Sequence, residues 1–316
     1  GLLTEHPRRQ TWARPGGSAG DLAWAAAVLA SRGTPPTGRQ VQVRAWNLSS
    51  LWRIPTAAGP VWLKVVPPFF AHEGAMLQRV TIGPPVLATD GPRSLLADVP
   101  GDDLYEPSPA QAAAMVRLLV AEQARWTGRV SEVLALGAPD WRGDAFVTLA
   151  ADVVERTAAE LDPTTAAAAR RLVAELPATF AALAACGIPD SLVHGDFHGG
   201  NVRADGERLV LLDWGDSGVG HPLLDQPAAV EHLDDVVAGS ARAAWTTAWR
   251  DAAPGSDPER AARLVQPVAA LRQAVIYRRF LDAIEPAEQP FHRRDPAQWI
   301  RRAVRGRVSA RSPRGT

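Results

Sequence analysis

Lysine and asparagine are almost missing from this 316-residue chain. Lys64 is the only lysine among 34 basic residues, and asparagine occurs only as Asn47 and Asn201. The alanine-, arginine-, glycine- and proline-rich composition is typical of a GC-rich genome, whose codon usage works against both residues. Under that bias, a lysine or asparagine that is present indicates a position where a side chain favoured by the codon usage, such as arginine, cannot replace it.

Cysteine and long apolar runs are also lacking. Cys186 is the single cysteine, so an internal disulfide is excluded, and nothing else indicates an oxidising compartment. No apolar run reaches the roughly 18–20 residues that a membrane-spanning helix needs. Charged and polar side chains interrupt the stretch from Gly1 to Pro15, which therefore does not resemble a signal peptide. We expect a globular protein of the cytoplasm.

Net charge is absent as well, since 34 Lys and Arg balance 34 Asp and Glu. The molecule as a whole therefore has no attraction for nucleic acid or an acidic membrane, and we expect neither as a partner. The stretch from Arg293 onward holds eight arginines and one acid, but no nucleic-acid-binding motif accompanies it. A solvated helix end and tail is the better interpretation. We expect a small-molecule partner and a monomer or homodimer.

The N-terminal third has the periodicity of a small, mostly antiparallel sheet with one inserted helix. A capping-box-like start at Ser18 and Asp21 predicts a helix to Leu29, ahead of the sheet. Val41 and Val43 alternate with polar residues, which predicts a half-buried first strand. Strands are predicted at 40–46, 50–54, 61–66, 86–89 and 94–99, and the inserted helix at 71–80.

Helical patterns prevail in the remainder of the chain. Ser108 and Pro109 are a good N-cap and N1 pair for a helix to Trp126. Further helices are predicted at 162–185, bent at Pro177, and through 222–305, where tryptophans are spaced as core anchors: Trp245, Trp249 and Trp299.

Short strands at 191–194, 202–204 and 209–212 interrupt the helices, and the last two form a hairpin closed by Asp205-Gly206. The length suits one large or two moderate domains. The change of character at Asp98–Asp103 predicts an α+β protein with a β-rich lobe over 1–98 and a helical lobe over 99–316.

The strongest chemical signal is the run Val193-His-Gly-Asp-Phe-His-Gly-Gly-Asn201, followed by Leu211-Leu-Asp-Trp214. Phosphoryl transfer needs a carboxylate beside the acceptor hydroxyl, oxygen ligands for magnesium and a positive group on the phosphates. Asp196 can orient and deprotonate an acceptor. Asn201 offers an amide oxygen and Asp213, beyond the hairpin, a second carboxylate, and magnesium prefers such hard oxygen ligands.

These two motifs together resemble the aminoglycoside phosphotransferase-like kinases, a branch of the protein-kinase fold. The resemblance is carried by His-Gly-Asp-x4-Asn from His194 and Asp-Trp-x5-Gly-x-Pro-x2-Asp from Asp213, and their joint spacing makes it specific. It implies a two-lobed, protein-kinase-like fold and an ATP- and Mg²⁺-dependent small-molecule kinase. The implied roles are Asp196 as catalytic base, Asn201 and Asp213 as magnesium ligands, and Asp225 as a brace of the catalytic loop.

The resemblance also implies a phosphate-binding lysine on the third strand and a glutamate on the following helix. Lys64 lies in the middle of the predicted strand 61–66, and Glu73 begins the next helical segment. A lone strand lysine is ordinarily a solvated edge charge, but the uniqueness of Lys64 favours the functional interpretation. For Glu73, an ordinary surface acid stays open as the alternative.

Other parts of the nucleotide site are less specific. Asn47-Leu-Ser49-Ser50 stands where protein kinases have a glycine-rich turn, and its serines contact phosphate or simply form a polar turn. Residues 95–99, with Ala97 and Val99, are expected to be the hinge that bonds adenine through backbone groups. No Walker-A pattern occurs, so a P-loop NTPase is disfavoured.

Four of the histidines, at positions 72, 221, 232 and 292, show no metal-ligand spacing. His194 and His198 could suggest a metal pair, but structural support of the catalytic loop is the better interpretation in this motif. His72, His221, His232 and His292 are expected to be ordinary surface or boundary residues, and Cys186 a small buried hydrophobe.

The acceptor region is expected among the C-terminal helices, which offer carboxylates and aromatic rings. Such groups suit an amino-bearing acceptor such as an aminoglycoside or amino sugar, although acids that merely solvate helix surfaces are the alternative. The candidate acids and aromatics are Glu231, Asp234, Asp235, Asp282, Glu285, Glu288, Trp245, Trp249 and Tyr277.

Two rival functions remain. The run from Gly195 to Gly199 imitates the first metal motif of dinuclear metallophosphatases, but the further Asp, Asn and His contexts of that class are missing. A kinase fold that binds nucleotide without catalysis usually lacks one of the key Lys, Asp or Asn residues, and here all are present.

Overall fold

The computed structural model of the protein describes residues 6–311, with side chains up to residue 306. Two compact units emerge from it. The first comprises residues up to Asp103 together with Asn201–Asp216 and Ala283–Glu288, and the second comprises Leu104–Gly200, Ser217–Asp282 and the residues from Gln289 onward. Unlike the continuous lobes predicted over 1–98 and 99–316, two later segments of the chain therefore join the first unit.

The strands and helices have the following bounds. The strands are β1 (Val41–Ala45), β2 (Ser50–Thr56), β3 (Gly59–Val65), β4 (Val86–Asp90), β5 (Arg93–Ala97), β6 (Asp102–Asp103), β7 (Ser191–Val193), β8 (Val202–Asp205), β9 (Arg208–Leu211) and β10 (Gly218–Gly220). The α-helices are α1 (Ser18–Ser31), α2 (His72–Leu77), α3 (Pro109–Trp126), α4 (Val130–Ala135), α5 (Gly143–Thr157), α6 (Pro163–Ala184), α7 (Gln226–Val230), α8 (Asp235–Ala252), α9 (Pro258–Ala283) and α10 (Asp295–Arg311). No helix within residues 6–311 is long and apolar enough to cross a membrane.

The first unit is built on an antiparallel sheet with the strand order β1-β2-β3-β5-β4. Helix α1 packs its buried residues Ala25 and Leu29 against Ile54, Leu63 and Leu95 of the sheet, and these apolar side chains form the core of the unit. Each buried leucine or isoleucine among them contributes about 1.5–3 kcal/mol to stability. The predicted strands and the inserted helix are all found, with ends that differ by a few residues.

Two details of the first unit contradict the sequence-based expectations. Strand β1 is exposed along its whole length, with Val41 and Val43 each 53% exposed, because it is an edge strand that pairs only with β2 in the described sheet. The predicted capping box of α1 is also wrong, since Gly17 is the N-cap and has no side chain to offer. Asp21 is instead buried and accepts a bond of 2.7 Å from Arg93 on β5, which draws the carboxylate away from the helix terminus.

A second sheet of the first unit has the order β6-β8-β9. Strands β8 and β9 form the predicted hairpin, in which Asp205 pairs with Arg208 and the turn consists of Gly206 and Glu207. Gly206 has φ +59°, a left-handed conformation that glycine adopts without strain. The hairpin therefore turns one residue later than predicted.

The second unit is helical, with one small sheet in which β7 pairs with β10. Ser108 caps α3 in a complete capping box with Gln111, as its position before Pro109 predicts. Asp162 caps α6, and Pro177 lies inside that helix. Helices α4 and α5 were not predicted from the sequence.

Tryptophans anchor the helices of the second unit to different degrees. Trp245 and Trp249 on α8 are buried, as predicted. Trp299 on α10 is only half-buried, and the guanidinium carbon of Arg302 lies 4.7 Å from the centre of its ring. Of the arginine-rich stretch, Arg302 also pairs with Glu231, whereas the side chains from residue 307 onward lie outside the described residues.

Candidate active site

Lys64 is the centre of an ion-pair network in the first unit. It lies on β3, whose alternate residues Val61, Leu63 and Val65 face the core, so Lys64 points to the opposite face. Its Nζ donates to Glu73 Oε1 at 2.6 Å and to Asp213 Oδ1 at 2.8 Å. The structure thus brings together three of the predicted site residues from separate parts of the chain.

The three members of this network differ in burial. The side chains of Lys64, Glu73 and Asp213 are 14%, 2% and 52% exposed. Burial lowers the pKa of Lys64, but the carboxylates of Asp213 and Glu73 outweigh burial and hold that pKa above its usual value, so the ammonium stays charged. Burial raises the pKa of Glu73, and the neighbouring ammonium opposes that shift. An exposed carboxylate next to a fixed positive charge leaves Asp213 available to a ligand.

Glu73 also ties helix α2 to the segment that carries Asp213. Its Oε1 accepts from the backbone N–H of Trp214 at 3.1 Å. Trp214 is buried, and its indole N–H donates to the carbonyl of Leu211 at 2.9 Å. Glu73 therefore bonds both to Lys64 and to the backbone next to Asp213. An ordinary surface acid, which was the alternative interpretation, would make neither bond.

Asp213 has an unusual backbone. Its φ is +61°, and it is the one non-glycine residue of the described chain with a positive φ. Aspartate tolerates this left-handed region better than most residues, although at some cost in energy. Strain of this kind is often found at functional sites.

Asn201 lies at the open end of the hairpin that Asp213 follows. Val202 pairs with Leu211 in the hairpin, and one step further the N–H of Leu212 donates to the carbonyl of Asn201 at 2.8 Å. The amide and carboxylate side chains of Asn201 and Asp213 are hard oxygen donors of the kind that magnesium prefers. No cluster of three or more His, Cys, Asp or Glu within the described residues could hold a metal ion. As oxygen donors, Asn201 and Asp213 fit a magnesium ion that takes its other ligands from phosphates and water.

The predicted catalytic loop around Asp196, in the second unit, is held by Asp225. This side chain is 1% exposed and accepts from the N–H groups of His194 at 2.9 Å and Gly195 at 2.7 Å, and from Gln123 Nε2 at 2.9 Å. Burial raises the pKa of Asp225, against the opposing effects of His194, Arg272 and the N–H donors. The bonding of Asp225 is that of a brace for the loop.

Asp196 is half-buried and has a histidine on each side in the sequence. Its N–H donates to His194 Nδ1 at 3.3 Å. His198 Nδ1 accepts from the N–H of Gly200 at 3.1 Å, and its Nε2 lies 3.5 Å from Asp196 Oδ2. Both histidines thus contact the loop itself, the arrangement expected of structural support.

The predicted phosphate turn has internal partners for its hydroxyl groups. Ser49 Oγ accepts from the indole of Trp46 at 2.8 Å. Ser50 is fully buried, and its Oγ accepts from Gln42 at 3.1 Å and from Trp52 at 3.0 Å. These bonds stabilise the turn, and phosphate contact by Ser49 and Ser50 stays a prediction.

The predicted hinge residues bond to neighbouring segments of the first unit. The N–H of Ala97 donates to the carbonyl of Pro85 at 2.9 Å, and the carbonyl of Val99 accepts from Arg203 at 3.4 Å. Adenine contacts at Ala97 and Val99 stay predictions.

Most acids of the predicted acceptor region have a structural role. Glu231 pairs with Arg302, Asp282 with Arg156 and Glu285 with Arg9. Asp234 is the N-cap of α8 and accepts from Val236 and Val237, and Asp235 is exposed in the first turn of that helix. Tyr277 packs edge-on against Phe280, with ring centroids 5.5 Å apart, and contacts His292. These partners favour the alternative in which the acids stabilise helix surfaces.

Sequence reasoning missed Gln123 and Arg272, which contact the loop and its brace. Gln123 donates to Asp225 and to the carbonyl of Pro222. Arg272 is buried and donates to the carbonyl of Gly195. The available signal for Arg272 was its place in the apolar run 267–276 of a helix, where a charged side chain falls on a buried face.

His72 and His221 were expected near the surface, and both expectations are wrong, since they are 7% and 5% exposed. Nδ1 of His221 accepts from the N–H of Leu223 at 3.2 Å, which caps the short turn Pro222–Asp225. Burial lowers the pKa of His221 to about 4, so this histidine is neutral.

The antiparallel sheet with its lysine network and the helical unit with its catalytic loop define the class of protein, a kinase-like phosphotransferase. A model of the phosphotransferase enzyme family matches residues 65–264. This match spans more than half of the chain, and the chain belongs to that family. Comparison with curated protein sequences gives no match.

Solved structures agree on the fold. The chain is similar to macrolide 2′-phosphotransferase MphH from Brachybacterium faecium, with a TM-score of 0.60 and 16% identity over 86% of this chain and 97% of that one. For a choline/ethanolamine kinase family protein from Mesorhizobium loti, the TM-score is 0.58 and the identity 18%, over 92% of this chain and 95% of that one. For the gentamicin complex of APH(2″)-IIa, the TM-score is 0.59 and the identity 12%, over 90% of this chain and 95% of that one.

These findings confirm the predicted fold class and family. The protein is a phosphotransferase, as the motifs predicted, and the family implies a nucleotide donor and a divalent metal in general terms.

Proposed function

We propose that this protein transfers the γ-phosphoryl group of ATP, with Mg²⁺, to a hydroxyl of a small, amino-bearing acceptor. The network of Lys64 with Glu73 and Asp213 is the observation that supports the donor most strongly. A charged ammonium fixed between two carboxylates keeps a permanent positive charge for phosphate oxygens.

On the donor side, each predicted site residue of the first unit has its own role. Lys64 binds the nucleotide phosphates, and Glu73 holds Lys64 in place. Asn201 and Asp213 would hold the magnesium ion, which when bound neutralises charge on the phosphates. Ser49 and Ser50 contribute to the phosphate turn, and the backbone of Ala97 and Val99 bonds adenine.

On the acceptor side, Asp196 acts as the base. As the acceptor oxygen bonds to the γ-phosphorus, its proton moves to the Asp196 carboxylate and the bond from phosphorus to the β,γ-bridging oxygen breaks, releasing ADP. The half-buried carboxylate is held by a braced loop, which supports this role through orientation of the reacting groups. His194, His198 and Asp225 support the loop.

The acceptor class is proposed on chemistry and likeness together. The solved relatives named above are a macrolide phosphotransferase, a choline/ethanolamine kinase family protein and a gentamicin complex. Gentamicin, which is bound in one of these structures, and choline, which gives another its family name, carry amino or ammonium groups. Such groups suit the carboxylates Asp234 and Asp235 and the ring of Tyr277. Because most other acids in the region are ion-paired, we infer an amino sugar or aminoglycoside bound by few carboxylates.

A coupled ADP-release screen tests this function. Purified protein is given ATP and Mg²⁺ with aminoglycosides, macrolides, amino sugars, plain sugars and amino alcohols, and mass spectrometry identifies the phosphorylated product. We expect turnover with an amino-bearing acceptor and none with its deoxy analogue. ATP binding without turnover across all acceptors would indicate an inactive nucleotide-binding protein. Hydrolysis of a phosphomonoester without nucleotide would indicate a phosphatase.

A further inference from the structure

Arg272 is an almost fully buried charge in the middle of helix α9. Its side chain is 1% exposed, and one terminal nitrogen of its guanidinium donates to the carbonyl of Gly195, the residue before Asp196. Burying a charged group is costly unless it is well paired. An arginine retained at such a place therefore has a specific task in the second unit.

The contact is made to the peptide group that joins Gly195 to Asp196. Its carbonyl accepts from Arg272 and, at 3.5 Å, from Gln273 Nε2. Its N–H, that of Asp196, donates to His194 Nδ1 at 3.3 Å. The peptide is thus held at both its oxygen and its nitrogen, and it cannot rotate without breaking these bonds.

The adjoining peptide is held in the same manner, since the N–H of Gly195 donates to the buried Asp225 at 2.7 Å. Gly195 itself has φ +93°, which few other residues adopt. Asp225, bonded to the N–H of Gly195, and Arg272, bonded to its carbonyl, therefore together determine the direction in which the chain enters Asp196. The positive charge of Arg272 also lies close enough to Asp225 to oppose the rise in the pKa of that carboxyl.

A tryptophan holds Arg272 in turn. The guanidinium carbon lies 5.7 Å from the centre of the buried Trp141 ring, a cation–π arrangement. The backbone N–H of Trp141 donates to the carbonyl of Val219 on β10 at 2.8 Å. Val219 pairs with Leu192 on β7, the strand that leads into the loop. Arg272 is therefore fixed against the same small sheet from which the loop begins.

We propose that Arg272 is a positioning residue, whose guanidinium fixes the Gly195–Asp196 peptide and so directs the Asp196 carboxylate. This inference rests on the proposed role of Asp196 as the base. Arginine suits the task because its planar group stacks on an aromatic ring and donates in its own plane at the same time, which a lysine ammonium does not do.

The test compares three variants. Arg272→Met keeps most of the volume and removes the charge and donors. Arg272→Lys restores the charge and N–H donors but not the planar guanidinium, and Arg278→Met is the matched control. Arg278 lies six residues later on the same helix, is half-buried and donates to Thr157 Oγ1 at 2.9 Å. Thermal unfolding establishes which variants fold.

We expect Arg272→Met to lower kcat about 100-fold with the KM for ATP unchanged, as misplacement of a catalytic group does. Arg272→Lys should recover part of that loss, and Arg278→Met should keep the wild-type kcat. A loss of stability in Arg272→Met with kcat intact would show that Arg272 only packs the helix, and would overturn the proposal. An equal loss of kcat in Arg278→Met would overturn it as well.

Amide hydrogen exchange without any substrate separates this inference from the proposed function. In Arg272→Met the amides of Gly195 and Asp196 should exchange at least about tenfold faster than in the wild type, and in Arg278→Met at the wild-type rate. Unchanged exchange in Arg272→Met would refute the positioning role. If the wild type shows no turnover with any acceptor but exchange responds as expected, the proposed function fails and the anchoring of the loop by Arg272 stands.

Discussion

In the first unit, Lys64 of the candidate site bonds to two carboxylates, whereas in the second unit Asp225 and Arg272 bond mainly to the backbone. Lys64 lies between the carboxylates of Glu73 and Asp213, and the Asp213 carboxylate is half exposed. Asp225 and Arg272 are almost fully buried and hold the N–H and carbonyl groups of Gly195.

This difference suits the proposed roles of the two regions. A nucleotide brings several negative charges, and side chains of fixed charge with one open face suit it. A catalytic base needs a defined direction more than a strong field, and direction is determined by the backbone on which it stands. Three variants and one change of pH should distinguish the ion-pair network of the first unit from the backbone bonding of the second. The change with the largest expected effect comes first.

Asp196→Asn removes the base with almost no change of shape. We expect kcat to fall roughly 10²–10⁴-fold, the range for loss of a general base, with nucleotide affinity unchanged. Steady-state ADP release and a nucleotide-binding titration measure the two quantities. A variant that keeps a near-wild-type rate would remove Asp196 from the proposed role.

Asp225→Asn tests the buried brace of the loop. The variant puts an amide group where N–H donors point and leaves the Arg272 charge without its buried counterpart, so the free energy of unfolding should fall by about 3 kcal/mol. Denaturant unfolding gives the value, and Asp213→Asn, at the exposed carboxylate of the first unit, is the control. Equal stability of Asp225→Asn and the wild type would mean that the loop does not depend on its brace.

Acid should weaken the second unit through His221, which burial keeps neutral. Its pKa is lowered from 6.5 to about 4 in the folded protein, so the unfolded chain takes up a proton first as the pH falls. The stabilising effect of the neutral ring is present above pH 6.5 and is lost progressively down to about pH 4, by roughly 3 kcal/mol in total.

The comparison for this prediction is His221→Asn, which keeps a capping acceptor for Leu223 but has no titrating group. Unfolding free energies of the two proteins between pH 8 and pH 4 give the difference. Parallel pH profiles would show that His221 does not contribute.

Asp213→Asn should weaken nucleotide binding in the presence of magnesium by about tenfold, or about 1.4 kcal/mol. Asparagine tolerates the positive φ at this position, so the backbone is kept and only the charge is lost. Titration calorimetry with ATP, with and without Mg²⁺, measures the effect. Affinity equal to the wild type in both conditions would count against Asp213 as a metal ligand.

Features that depend on neighbouring residues in the chain were predictable. Ser108 before Pro109 predicted the start of α3, and the joint spacing of the motifs at His194 and Asp213 predicted the family and the fold. Helices α4 and α5 were missed because neither has a side-chain cap at its start, so the usual signal was absent.

Features that depend on what lies opposite in space were not predictable. Val41 and Val43 alternate as in a half-buried strand, but the pattern does not say that β1 is an edge strand. Ser18 and Asp21 have the spacing of a capping box, but Arg93 on β5 competes for the carboxylate. The position of β1 in the sheet and the contact between Arg93 and Asp21 each outweighed the local preference of the sequence.

The network around Lys64 and the brace around Gly195 show the same division. The sequence by itself determined that a lysine, an amide and two carboxylates were present, since composition made Lys64 stand out and motif spacing identified Asn201, Asp196 and Asp213. Only the tertiary structure decided what holds them. In an arginine-rich chain composition does not distinguish Arg272, and its bond to Gly195 joins residues 77 positions apart. Such a contact depends on how helices and strands pack, which local sequence does not encode.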